Sequence, residues 1–173
     1  MAKQTAQRTR QDLLGIYLND HLAGATMGVN LARRMAVTAE PASERATVLS
    51  RLATEIAEDR SALLRIMAAL GIQVRGYKVF AARVGEKAGR LKLNGYLLTR
   101  SPLSDLEETE FLRLGVEGKA AGWRTLRKLA DRDTRLDAGR LDELIVRAND
   151  QASVLESLRS STAEVLAGGD ADG

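Results

Sequence analysis

The spacing of the apolar residues constrains the fold of this 173-residue chain more than any other feature. Apolar positions recur at alternating steps of three and four through four long segments, at about 11–37, 41–70, 104–131 and 141–167. Such steps place side chains on one face of an α-helix, whereas strands alternate at every second residue. The sequence therefore predicts four long helices that bury their apolar faces against one another. The predicted faces include Leu49 and Leu52 on the second helix and Leu141 and Leu144 on the fourth. On the third helix the predicted face runs through Phe111, Leu114, Gly118, Ala121 and Thr125.

The composition also favours an all-helical protein. Aromatic residues make up 3% of the chain and prolines number two, whereas strands draw on aromatic and β-branched residues. The length is typical of one domain with one core. The absence of cysteine excludes disulfides, thiolate metal sites and a cysteine nucleophile. The basic start has no signal-peptide pattern and no apolar run approaches the length of a membrane span, so we expect a cytoplasmic protein.

Turn and cap residues divide the four segments into two hairpins. Pro41 suits the first turn of the second helix, and Gly71 suits its end. Only residues 38–40 separate the first two helices, which predicts an antiparallel hairpin. Residues 104–107 have the form of a capping box at the start of the third helix, and Pro102 just upstream argues against an earlier start. A short polar turn then joins the third helix to the fourth.

Residues 71–103 form a connection too long for a tight turn between neighbouring helices. Apolar residues at helical spacing predict a short amphipathic helix within it, at Tyr77, Phe80 or Ala81, Val84, Ala88 and Leu91. A connection of this length can span a bundle, which makes the third helix parallel to the second. The predicted fold is thus an all-α four-helix bundle of two antiparallel hairpins joined by a long crossover. The bundle covers residues 11–167, between a flexible N-terminus at 1–10 and a disordered tail at 168–173.

A layer of polar residues is predicted inside this bundle. If the first hairpin turns near residue 40, His21 and Asp59 share one level, and both lie on apolar stripes. If the third helix starts at the level of that turn, Glu117 lies opposite His21, and folding the second hairpin near residue 135 adds Gln151 or Ser153. The predicted layer is His21, Asp59, Glu117 and Gln151, with Ser153 as the alternative to Gln151. Imidazole and carboxylate groups from facing helices are ligands of iron or manganese, whereas a hydrogen bond from His21 to Asp59 would make the layer structural. The structural interpretation leads, and metal binding is its alternative.

Two groups of glycines are predicted to face each other across the first and third helices. They are Gly24 and Gly28 on the first helix, and Gly115, Gly118 and Gly122 on the third. Glycine inside a helix costs up to about 1 kcal/mol relative to alanine. We therefore expect these glycines to allow a close approach of the two backbones, with a ligand slot beside the contact as the alternative.

Three stretches, at residues 17–34, 85–107 and 115–123, resemble a bacterial, actinobacterial-looking branch of the ferritin-like superfamily. They read YLNDHLAGATMGVNLARR, GEKAGRLKLNGYLLTRSPLSDLE and GVEGKAAGW. The resemblance implies a one-crossover bundle with a Glu on the first and third helices and Glu-x-x-His on the second and fourth. Neither Glu-x-x-His motif is present, because His21 is the only histidine, so iron oxidation of the ferritin type is not expected.

The residues that are present still allow a degenerate version of the superfamily's metal site. The first helix offers Asp20 and His21 in place of the superfamily's Glu, and Glu117 or Glu110 stands for the carboxylate of the third helix. The full candidate ligand set for Fe or Mn is His21, Asp59, Glu117, Glu55 and Glu58.

Basic residues are concentrated in the connection. Residues 71–103 contain seven basic residues and one acid, a charge of +6, so the rest of the +3 chain carries −3. The candidates for contact with an anionic partner, a nucleic acid or a membrane surface, are Arg75, Lys78, Arg83, Lys87, Arg90 and Lys92. A solvated basic face is the alternative.

These patterns lead to three functional hypotheses. The first is a non-catalytic binding or assembly module, expected to be a homo-oligomer and to need no cofactor. The second is a degenerate metal-binding or metal-dependent redox protein that uses the candidate ligands above. The third is binding of an anionic partner through the basic connection. Enzymatic activity is the less favoured expectation.

Overall fold

The computed structural model describes residues 2–75 and 102–168, with side chains in 10–75 and 103–168. Four α-helices make up most of these residues, and no strand occurs among them. The helices are α1 (Ala2–Thr38), α2 (Glu44–Ala69), α3 (Pro102–Ala130) and α4 (Ala138–Gly168). The prediction of an all-α protein with four long helices is confirmed for this part of the chain.

The first hairpin turn lies slightly later than predicted. Pro41 falls in the turn, and α2 begins at Glu44 because Ser43 is its N-cap: the Ser43 hydroxyl accepts a hydrogen bond from the backbone N–H of Ala46 at 3.1 Å. Ala42 adopts a positive φ of 61° in this turn, a conformation in which the Cβ atom is crowded. The centre of the hairpin therefore lies near residue 42 rather than residue 40.

The N-terminal boundaries of α1 and α3 also differ from the prediction. α3 begins at Pro102 rather than at Ser104, because proline has a helical φ and its missing N–H is not needed in a first turn. The backbone is helical from Ala2, so the segment predicted as a flexible N-terminus forms part of α1.

The end of α2 is where the sequence predicts it. Gly71 has a φ of 68°, and its N–H donates to the carbonyl of Ala68 at 3.0 Å. The N–H of Ile72 donates to the carbonyl of Met67 at 2.9 Å, so the two bonds form a Schellman cap. Ile72 and Met67 belong to one buried cluster, which ties the end of α2 to the core.

The directions of the helices follow from pairs of residues that touch. Neighbouring helices are antiparallel, because residues later in one helix contact residues earlier in the other. This holds for α1 with α2, α3 with α4, α1 with α3, and α2 with α4. The pairs include Thr26 with Arg60, Asp142 with Arg127, Tyr17 with Thr125, Arg34 with Glu108, and Arg45 with Thr162. Across the bundle, Arg45 meets Thr109 and Asp59 meets Lys119, so α2 and α3 run in the same direction.

The connection between these parallel helices is described only at its two ends. The short helix predicted between Tyr77 and Leu91 lies outside the described residues. The tail predicted to be disordered also lies outside them, apart from Gly168 at the end of α4.

The core consists of two apolar clusters stacked along the bundle. The cluster near the first hairpin turn includes Met35, Leu49, Leu52, Leu112 and Leu155. The cluster at the other end includes Leu18, Leu63, Met67, Trp123, Leu126 and Leu144. On α2 the first cluster ends at Ile56 and the second begins at Ala62, so buried Asp59 lies at the junction.

Candidate functional site

A buried ion-pair network fills the junction between the two apolar clusters. Asp59 on α2 is 1% exposed, and Lys119 on α3 is 12% exposed in its side chain. Lys119 Nζ donates to Asp59 Oδ2 at 2.5 Å, and Arg147 on α4 donates to Asp59 Oδ1. One carboxylate thus faces two cations from two different helices.

Gln151 on α4 completes the network. Its amide nitrogen donates to Asp59 Oδ2 at 3.3 Å and to Glu55 Oε2 at 3.1 Å, and its amide oxygen accepts a hydrogen bond from Lys119. Arg147 also donates to Glu58 Oε2 at 2.8 Å, nearer the surface. Every polar atom of Gln151 and both oxygens of Asp59 therefore have partners, as buried polar groups require.

Burial shapes the electrostatics of Lys119. Loss of solvation is the largest influence and lowers the pKa of the ammonium group below its usual value. The charge and hydrogen bond of Asp59 act in the opposite direction, Arg147 adds to the lowering, and Glu55 opposes it. The buried ammonium group of Lys119 therefore depends on Asp59 to offset the loss of solvation.

The structure brings together part of the predicted polar layer. Asp59 and Gln151 are in contact, as the sequence indicates, but the two other predicted members lie elsewhere. Glu117 is exposed on α3 and lies 4.0 Å from Arg113, one turn earlier on the same helix. The prediction for Glu117 is wrong because the predicted α3 face is wrong, and Lys119 two residues later holds the interior position.

His21 lies between α1 and α3, away from Asp59. Its half-buried ring packs edge-on against Tyr17 with centroids 4.4 Å apart, and a Cβ on Gly122 would lie 3.0 Å from His21 Cε1. The predicted pairing of His21 with Asp59 is wrong because the hairpin has a different register. Residues at the same level of α1 and α2, such as Thr26 and Arg60, have numbers that sum to about 86, whereas the prediction assumed a sum of 80. Burial lowers the pKa of His21, and neighbouring Asp20 opposes that shift.

The candidate metal ligands are consequently not gathered at one point. Asp59, Glu55 and Glu58 belong to the ion-pair network, while Glu117 and the alternatives Asp20 and Glu110 are exposed. Among the described side chains, at 10–75 and 103–168, no group of three or more His, Asp or Glu residues is arranged to hold a metal ion.

The predicted glycine contact is formed at one position only. Gly122 approaches α1 through His21, and Gly28 faces Ile56 of α2 with a distance of 3.9 Å from its ideal Cβ. At Gly24, Gly115 and Gly118 an added Cβ would meet nothing within 4 Å among the described atoms. These three glycines lie on the outside of the α1 and α3 pair.

Of the candidate anion-binding residues, the structure describes only Arg75. Its backbone N–H donates to Asn19 Oδ1 at 2.6 Å. The other candidates, Lys78, Arg83, Lys87, Arg90 and Lys92, lie outside the described residues. In the described part of the chain, no helix combines the length and apolar character needed to cross a membrane.

An open groove lies on the outer face of the first hairpin, which the sequence reasoning missed. We call it the hairpin groove. Its volume is about 820 Å³, and it is lined by Arg33, Ala36, Val37, Ser50, Ala53, Thr54, Ala57, Glu58, Ser61, Arg65 and Arg140. Within the described residues, neither Arg33 nor Arg65 makes a hydrogen bond or ion pair. The groove thus has a floor of small side chains and two free guanidinium groups.

Comparisons with protein-family models, curated proteins and solved structures give no match for this chain.

Proposed function

We propose that the protein is a non-catalytic binding and assembly module built on a ferritin-like bundle, and that the hairpin groove binds an acidic helical segment of a partner chain. The observation that carries this proposal is the pairing of a small-residue floor with the free guanidinium groups of Arg33 and Arg65.

The interior of the bundle supports a structural role for the polar layer. Ferritin-like proteins hold their metal ions with carboxylates that face one another across the bundle centre. Here Asp59 faces Lys119 and Arg147, which neutralise it in the position where a metal ion would act. A buried carboxylate already paired with two cations is a poor cation site. The antiparallel hairpins and the shared direction of α2 and α3 fit the one-crossover topology that the proposal includes.

The shape of the hairpin groove suits a helix. It extends along α2 from Ser50 to Arg65, which is 15 residues or about 22 Å, the length of four helical turns. Its floor includes Ala53 and Ala57, one turn apart, and small residues at this spacing allow a second helix to approach closely. Free guanidinium groups on the rim favour acidic side chains on that helix.

Photo-crosslinking in the native cells tests this proposal. A benzoylphenylalanine residue at Thr54 lies in the groove, whereas one at Ser153 lies on the exposed face of α4 and serves as the control. We expect an adduct at Thr54 and none at Ser153. The mass of the adduct distinguishes a second protein from a second copy of this chain, which is the predicted homo-oligomer.

Charge reversal provides the matched comparison. Arg33→Glu with Arg65→Glu is expected to abolish the Thr54 adduct, while Arg132→Glu, exposed after the end of α3, leaves it intact. Equal labelling from Thr54 and Ser153, or an adduct that survives the double reversal, would remove the support for the groove as a binding site.

A further inference from the structure

The charged side chains of the hairpin groove follow a fixed order along its length. Thr26 of α1 meets Arg60 of α2. Arg33 lies two turns later in α1, so it is level with Ala53, two turns earlier in α2. Both residues line the groove. The free guanidinium group of Arg33 therefore belongs to the end of the groove that is nearer the first hairpin turn.

The opposite end of the hairpin groove is also basic. Arg147 of α4 meets Asp59 of α2. Arg140 lies two turns before Arg147, so it is level with the region of Arg65 in α2, and both arginines line the groove. Arg140 is paired with Glu143 on its own helix, whereas Arg65 has no ion pair in the described part of the chain. Each end of the groove therefore offers one free guanidinium group.

Between these two ends the hairpin groove is acidic. Glu58 is the one acid among the described residues that line it. The Glu58 side chain is 60% exposed, and its Oε2 accepts a hydrogen bond from Arg147 at 2.8 Å, while its Oε1 accepts none from any described residue. Arg147 is 25% exposed in its side chain, is also bound to Asp59 and does not line the groove. The centre of the groove therefore presents a carboxylate oxygen to a ligand.

The spacing of these three charges matches one face of a helix. From the level of Ala53 to Glu58 is 5 residues of α2, about 7.5 Å, and from Glu58 to Arg65 is 7 residues, about 10 Å. On a helix, residues four and eleven positions after a given residue share its face and lie about 6 and 16 Å further along the axis. Long side chains cover the remaining difference of about 2 Å. One face of a docked helix can therefore meet all three charges.

We propose that the helix bound by the hairpin groove has acidic side chains at both ends of its contact face and a basic side chain at the centre. This inference rests on the proposed function and specifies the partner in more detail. The acids pair with Arg33 and Arg65, and the base pairs with Glu58. An acid at the centre would face Glu58 above the floor of Ala53 and Ala57, where the two helices are closest. The groove therefore selects against a uniformly acidic helix.

Two stapled helical peptides of identical composition test this charge order. The first has a pair of glutamates at each end of its contact face and a pair of lysines at the centre. The second has one lysine at each end and the four glutamates between them. Both patterns are symmetric, so the direction of the bound peptide does not matter. We expect the full-length protein to bind the first peptide about tenfold more tightly in fluorescence anisotropy at low ionic strength, with a difference that shrinks as salt is added.

Substitutions of Glu58 show whether this residue sets the preference. Glu58→Lys is expected to reverse it, so that the second peptide binds more tightly, and the milder Glu58→Gln is expected to reduce it to about threefold. Glu164→Lys makes the same charge change at an exposed position of α4 outside the groove and should leave the preference unchanged. Circular dichroism checks that each variant keeps its helices.

The outcomes distinguish this inference from the proposed function. Equal binding of the two peptides that Arg33→Glu with Arg65→Glu abolishes would overturn the charge order and leave the groove as a site for acidic helices. A preference for the first peptide that Glu58→Lys does not change would also overturn the charge order alone. Binding of neither peptide, or binding that the double arginine reversal leaves unchanged, would overturn both the charge order and the groove as a binding site.

Discussion

The ion pair between Asp59 and Lys119 provides the sharpest quantitative test of the bundle interior. Replacing Asp59 with Leu leaves Lys119 buried with only the amide oxygen of Gln151 as a partner, and leaves Arg147 with only Glu58. Removing one member of a buried pair typically costs about 3–5 kcal/mol, because the remaining charge is still desolvated. A domain of this size is stable by about 5–15 kcal/mol in total, so the expected loss is a large fraction.

The double replacement separates the charge effect from packing. Asp59→Leu with Lys119→Met removes both desolvated charges and keeps apolar groups of similar volume between the two core clusters. Such replacements are often neutral or stabilising. The double variant still leaves the buried amide oxygen of Gln151 without its Lys119 donor, which costs about 1–3 kcal/mol. We therefore expect it to lose less stability than the sum of the two single variants, with a coupling free energy above about 1 kcal/mol.

Urea denaturation followed by circular dichroism measures these differences, and a thermal scan provides a second measure. A loss of 3–5 kcal/mol corresponds to a midpoint lowered by about 6–20 °C in a domain of this length. The reasoning is refuted if Asp59→Leu costs less than about 1 kcal/mol, or if the two single losses add in the double variant. Serine in place of exposed Asp150, one residue before Gln151, is the matched control and is expected to change little.

Four further predictions concern single features. Ala42→Gly relieves the positive φ of the hairpin turn and should raise the free energy of unfolding by about 1 kcal/mol in urea; a decrease would contradict the turn geometry. Gly122→Ala places a methyl group 3.0 Å from the His21 ring and should cost about 1–3 kcal/mol, a loss that His21→Ala in the same chain reduces. Because burial lowers the pKa of Lys119, the unfolded chain binds more protons between that pKa and about 10.5; stability should rise with pH across this window in the wild type and not in Lys119→Met. Titration with Fe(II) or Mn(II), followed by calorimetry, should show no saturable binding, and saturable binding that His21→Ala abolishes would restore the metal hypothesis.

The sequence predicts the secondary structure and two of the core faces well. On α2 and α4 the apolar stripes that include Leu49, Leu52, Leu141 and Leu144 are buried, because each helix has only one face rich in large apolar residues. The Gly71 end is equally predictable, since a glycine after an apolar stripe is a local signal. These features depend on residues close together in the chain.

The α3 face shows why the site itself was harder to predict. The predicted stripe through Phe111, Leu114 and Gly118 is exposed, whereas the buried stripe contains Leu112, Val116, Lys119, Trp123 and Leu126. Because the stripe that is buried contains Lys119, the sequence of α3 alone does not indicate that this face belongs to the core. Its burial becomes acceptable only through Asp59 and Gln151 on two other helices, and no local pattern contains that information.

One rotation of α3 connects the buried network with the exposed apolar residues Phe111 and Leu114. Leu112 follows Phe111, so exchanging the two stripes turns the helix by about 100° about its axis. The buried stripe supplies Trp123 and Leu126 to the core, where the predicted stripe would have supplied Gly118, Ala121 and Thr125. Large side chains fill a core better than these small ones, so packing selects the stripe that contains Lys119. Asp59 then compensates the buried ammonium, and Phe111 and Leu114 are left facing outward beside Gly115 and Gly118.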